Sequence, residues 1–116
     1  MTSSVIRCLT EAGYKVIHTS LGAEAIDLIH AEKPALIILD IELPDHNSLA
    51  IIRSLRSEEL NDRIPVILMG SNIMEEDVLI GLEVGADLCL LETFHPQVFI
   101  ARVRSLLRRT EPLKVH

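Results

Sequence analysis

The stretch at positions 35–44, Ala-Leu-Ile-Ile-Leu-Asp-Ile-Glu-Leu-Pro, constrains this chain more than any other. Five apolar residues run without alternation into a single carboxylate, Asp40, and Pro44 forces a loop four places later. A short continuous apolar run bounded by turn residues reads as a strand buried on both faces, which means a parallel sheet covered by helices. Asp40 then sits at the carboxyl edge of that sheet, where open α/β sheets place their ligands and chemistry. An Asp after a strand also commonly caps the turn that follows, so the residue by itself leaves both roles open.

The rest of the composition fits such a sheet. Of the 116 residues, 48 % are hydrophobic but only 3 % aromatic, with no Trp, so the core must be built from Leu, Ile, Val and Ala. This length suits one domain with a core of its own. A net charge of −6 argues against unspecific binding to nucleic acid. Arg102, Arg104, Arg108 and Arg109 nevertheless concentrate positive charge near the C-terminus. Cys8 and Cys89 lie in apolar surroundings without CxxC or Cys/His spacing, and are expected to be buried free thiols of a cytoplasmic protein. The histidines are scattered, so no metal motif emerges. No apolar run approaches the roughly 18 residues of a membrane span, and no leader pattern opens the chain.

In order, residues 1–12 carry Val5, Ile6, Cys8 and Leu9 at helical spacing, with Gly13 as the stop. Residues 14–18 (YKVIH) predict a strand, and 20–32 a helix closed by Pro34. After the buried strand 35–39, Asn47 is placed to cap a helix reaching about Ser57, and 58–63 form a polar loop. Residues 65–69 (PVILM) predict a second apolar strand. Asn72 with Glu75 three places on predicts the capped start of a helix ending at Gly85. Residues 88–91 (LCLL) predict another buried strand, and Pro96 fits the first turn of a last helix over 95–109. The domain therefore spans 1–109, and 110–116 is a polar tail or the start of a linker. This alternation predicts right-handed crossovers and a three-layer α/β/α architecture.

LIILDIELP, PVILM, the GLEVGAD turn and ARVRSLLRRTEP together closely resemble receiver domains of two-component response regulators, most of all the branch with a winged-helix effector. The resemblance covers nearly the whole chain. It implies a mostly parallel, flavodoxin-like or CheY-like sheet of order 2-1-3-4-5, with Asp40 as the residue that takes a phosphoryl group from a kinase histidine. The family's site also uses an acidic pair after the first strand to hold Mg²⁺, a cation that wants hard oxygen ligands. The carbonyl of Glu42 is the matching backbone ligand, so Asp40 and Glu42 are the candidate metal residues, binding weakly. A hydroxyl after the fourth strand and a lysine after the fifth complete the set.

Here the chain departs from the pattern. Counting back from Gly13, the first strand and its acidic pair would precede Met1, so the first strand is missing or replaced. The hydroxyl position falls on Gly70, with Ser71 next to it, and the lysine position falls on Glu92. An opposed pair about 4 Å apart contributes on the order of 4 kcal/mol at an effective dielectric near 20, so an anion there repels a phosphorylated Asp40. On the family's dimer face, Val78 and Ile80 stand among apolar neighbours, Cys89 replaces an aromatic and Val98 an acid; Asp87, Arg104 and Arg108 keep charges there. The resulting expectation is a non-enzymatic, atypical receiver that works by protein–protein association, as a homodimer or on a sensor kinase, without ordinary Asp phosphorylation. It does not itself bind nucleic acid or membrane. The alternative is a working phosphoacceptor at Asp40 that drives a transcriptional output.

Overall fold

The computed structural model describes residues 3–57, 64–91 and 95–109. Element order is α1 (Ser3–Glu11), α2 (Gly22–Glu32), β1 (Ile37–Asp40), α3 (Ser48–Ser57), β2 (Val66–Gly70), α4 (Glu75–Val84), β3 (Leu88–Leu91) and α5 (Pro96–Arg109). The three strands form one parallel sheet in the order β1-β2-β3. In register, Asp40 lies beside Met69 and Gly70 beside Leu91, so the carboxyl ends of all strands share one edge.

β2 is the centre of the molecule because it can be nothing else. Val66, Ile67, Leu68 and Met69 are all 0 % exposed, and burying a side chain of this size stabilises by roughly 1.5–3 kcal/mol. Successive residues of a strand point to opposite faces, so an unbroken apolar run feeds two cores at once. Val66 and Leu68 join Ile51, Ile52 and Leu55 of α3 on one face. Ile67 and Met69 join Val5 and Leu9 of α1 with Phe99, Val103 and Leu106 of α5 on the other. This is the three-layer α/β/α arrangement that the run at 35–39 predicts.

Helix ends follow local chemistry. The Asn47 side chain accepts from the Leu49 and Ala50 amides at 2.9 and 3.4 Å, as its capping position predicts. α4 starts later than the Asn72–Glu75 pattern suggests. Its N-cap is Met74, whose amide donates to the Asp77 carboxylate at 2.9 Å, so the reciprocal acid of the cap is Asp77. α2 stops at Lys33, which takes the left-handed conformation before Pro34 and donates to the Ile29 carbonyl.

One predicted strand does not form. Residues 14–18 make no ladder. A strand needs a neighbour within about 4.8 Å, and among the described residues none pairs with YKVIH. Two cavities of about 290 and 350 Å³ lie between this segment and β1. Direct pairing of the two, which would have closed the sheet, has not occurred. The loop 58–63 and the tail 110–116 lie outside the described residues.

Candidate functional site

Asp40 ends β1 half-buried at the carboxyl edge, and its surroundings are tied down by side chains from three elements. Its Oδ1 accepts from the Glu42 amide at 2.8 Å, so it does cap the turn. Its carbonyl accepts from the hydroxyl of Ser48, which is 1 % exposed at the start of α3. The Ile41 amide donates across to the Met69 carbonyl at 2.7 Å. The loop that follows is held from outside: Asp45 accepts from the Gly22 and Ala23 amides at 2.7 and 3.2 Å, capping α2 from 22 residues away in sequence. His46 stands 3.1 Å from the same carboxylate. The Gly22 N–H chiefly holds the Asp45 carboxyl below its ordinary value; slight burial opposes this, and the Ala23 amide and His46 add to it. A side chain at position 22 would meet the His46 Cβ at 2.6 Å, so α2 and the loop touch backbone to side chain.

Gly70, at the position where the family carries a hydroxyl, ends β2 on the same edge. A Cβ there would lie 2.5 Å from Ile41 Cγ2 and 3.1 Å from Ile73 Cγ1. Apolar atoms of the residue after Asp40 thus occupy the space a hydroxyl-bearing side chain would need. Ser71 is exposed. Glu92, the residue at the lysine position, is outside the described residues.

The described residues do not by themselves make up an Mg²⁺ centre: among them no three of His, Cys, Asp and Glu cluster as a metal site would require. Asp40 and Glu42 alone offer far fewer oxygens than octahedral geometry asks for.

The expected association face is divided. Leu79 is 60 % exposed on α4 and Val98 50 % on α5; Ile80 and Leu82 on α4 and Leu91 on β3 are exposed as well. Arg104 and Arg108 are exposed, whereas Val78 is half-buried. Cys89 is a half-buried free thiol, pushed up by burial first and the Asp77 charge second. Cys8 is likewise half-buried rather than sealed in the core. Asp87 does not reach out to Arg104 or Arg108. Its Oδ2 accepts from Arg56 at 3.0 Å and from the Val66 amide at 2.8 Å. Arg56 in turn donates to the Gly85 carbonyl at 2.9 Å and the Ile64 carbonyl at 2.6 Å. This Asp87 is a clamp that fastens α3 to the lower ends of β2 and β3. Sequence reasoning missed Arg56, Asp45 and Ser48, since each acts on a backbone group far along the chain.

Comparison with known proteins places these features in context. The family model described as "Response regulator receiver domain" matches residues 1–104. The chain is 38 % identical over 103 residues to the alkaline phosphatase synthesis transcriptional regulatory protein PhoP of Bacillus subtilis, covering 89 % of this chain and 42 % of that one. It is 36 % identical over 104 residues to the phosphate regulon transcriptional regulatory protein PhoB of Pseudomonas aeruginosa, covering 90 % and 45 %. It therefore spans less than half the length of these relatives. Among solved structures, the BeF3-activated N-terminal receiver domain of RstA from Klebsiella pneumoniae superposes with a TM-score of 0.83 at 31 % identity, covering 91 % of this chain and 88 % of that one. A response regulator structure from Chloroflexus aurantiacus gives 0.85 at 27 % identity, covering 90 % and 86 %.

Proposed function

Because the chain belongs to the response regulator receiver domain family, we propose that it is an atypical two-component receiver, one that signals by association through its α4–β3–α5 face, with a second copy as first partner, rather than through phosphorylation of Asp40. The apolar face carries this reading. Leu79, Ile80 and Leu82 on α4, Leu91 on the edge strand and Val98 on α5 leave large side chains in water. Exposed apolar side chains on these elements are what association can bury. The arginines flanking it on α5 suit the charged rim of such an interface, where a pair contributes little energy but sets register.

The carboxyl edge supports the same reading. Ile41 packs on the spot where a switch hydroxyl would stand, so a phosphoryl group on Asp40 would find an apolar neighbour at that position. Glu92 adds like charge where the family has a cation. The working phosphoacceptor remains the rival, favoured by the placement of Asp40 at the half-buried strand end, and a sensor kinase would then be its partner.

One measurement separates the two. Light scattering after gel filtration should give a dimer mass that Mg²⁺ with acetyl phosphate leaves unchanged. A monomer that dimerises only with the phosphoryl donor, accompanied by acid-labile phosphate on Asp40, overturns the proposal in favour of the rival. A monomer under both conditions overturns the homodimer.

A further inference from the structure

The two helices that flank β3 carry charge of opposite sign. α4 reads EEDVLIGLEV, with Glu75, Glu76, Asp77 and Glu83 and no basic residue. α5 reads PQVFIARVRSLLRR, with Arg102, Arg104, Arg108 and Arg109 and no acid. β3 stands between them. Its Cys89, like Val84 of α4, packs against one core, and its Leu88 and Leu90 pack against the other, which holds Phe99 of α5. Among the described residues β3 pairs along one side only, with β2. The ion pairs among those residues are His46–Asp45 and Arg56–Asp87, so no α4 acid meets an α5 arginine within the chain.

Helix dipoles account for part of this separation. Glu75 and Glu76 suit the first turn of α4, and Arg108 and Arg109 the last turn of α5. They do not account for Glu83, an acid in the last turn of α4, or for Arg102 in the middle of α5. Both are exposed. A helix with charges of one sign also forgoes the stabilising pairs it could make along its own surface.

Both sets of charges reach the outside. Gly81 faces the sheet, where an added Cβ would meet Leu68 Cδ2 at 3.0 Å, so Leu79 and Glu83, two residues to either side, turn outward. On α5, Leu107 shares a cavity with Val5 and Leu9 of α1. Val98, Arg102 and Arg109 lie about 140–180° round the helix from Leu107, on the flank away from α1 and toward β3.

We infer that this separation of charge decides how a second copy docks on the association face proposed above, a reading on which the inference rests: α4 of each copy lies against α5 of the other. Two copies meeting at their β3 edges have two two-fold arrangements. An axis perpendicular to the sheet lays α4 on α4 and α5 on α5, like charge on like. An axis along the strands exchanges the two faces of the sheet and sets α4 against α5 in both halves, acids against arginines. A two-fold axis repeats every contact, so the sign of the pairing acts twice. The exposed apolar side chains supply affinity, and the charges choose the arrangement.

Sedimentation equilibrium on the full chain tests this with three variants beside the unchanged protein: Glu75→Arg with Glu83→Arg, Arg102→Glu with Arg109→Glu, and all four together. Each pair of substitutions should weaken self-association by about tenfold or more, because it sets like charges against each other. All four together should restore it to within about threefold of the unchanged protein, since acids and arginines then face one another with signs exchanged. That recovery also excludes unfolding as the cause of the loss. Equal association in all four chains overturns the crosswise arrangement, as does a fourfold variant no stronger than the pairs. If Leu79→Glu with Val98→Glu still disrupts association in that case, the face stands and only the arrangement falls. A monomeric unchanged protein removes both.

Discussion

Arg56 is the residue whose loss should cost most for its exposure. It satisfies two backbone carbonyls and a carboxylate that also holds the Val66 amide. Removing the guanidinium takes the donor from the Gly85 and Ile64 carbonyls, and a buried unsatisfied group costs about 1–3 kcal/mol. Arg56→Ala should therefore destabilise by about 1–3 kcal/mol in urea unfolding. Asp87→Ala should do nearly as much, and the double variant should fall well short of the sum, since both remove one network. Asp45 makes a different prediction. Its folded-state pKa lies below the ordinary carboxylate value, so its contribution is present above that ordinary value and is lost as pH falls through the lowered one. Thermal unfolding followed downward from neutral pH should show this loss in the acid range. Asp45→Asn should flatten that part of the profile, because an uncharged amide at the α2 N-terminus does not titrate.

At the scale of elements, β2 and α4 stand at opposite extremes. Leu68 is 0 % exposed in the middle of β2, and Leu68→Ala should cost about 3–5 kcal/mol through lost contacts and the cavity left behind. The unfolding midpoint should drop with an unchanged denaturant slope. α4 presents Leu79 to solvent, and α5 presents Val98. Leu79→Glu combined with Val98→Glu should leave stability nearly untouched and weaken self-association by about a hundredfold, as expected for charges placed in an apolar interface centre; sedimentation equilibrium measures this. The strands at 35–39 and 65–69 were legible because a run apolar at nearly every position has few other places to go. The helix over 72–84 was legible in kind but not in its start, since Asn72 and Met74 both precede acids three residues on, and only the path of the chain decides which amide meets which carboxylate. YKVIH has the composition of a strand, yet a strand is a relation between two segments, and none of the described residues pairs with it.

For the molecule as a whole, the two cores on either side of one strand make the sheet a shared wall. Ile67 and Met69 serve the α1–α5 core, and Val66 and Leu68 the α3 core, so damage to either core reaches the other through adjacent residues. Phe99, 1 % exposed and the largest wholly buried side chain among the described residues, tests this coupling. Phe99→Ala should destabilise by about 3–5 kcal/mol and should speed hydrogen exchange at the α3-facing amides as much as at its own face. Amino-acid order by itself determined the strand that ends in Asp40, the apolar β2, the crossover helices and the family they belong to, because burial on both faces and helical spacing are properties of neighbouring residues. Tertiary structure decided the rest. It made Asp40 a turn cap whose carbonyl is held by Ser48. It drew Asp87 inward to Arg56 and set Ile41 over Gly70. Among the described residues it also left one edge of β1 without a paired strand. Each of these depends on groups brought together from distant parts of the chain, and local sequence holds no record of which backbone atom a side chain will meet.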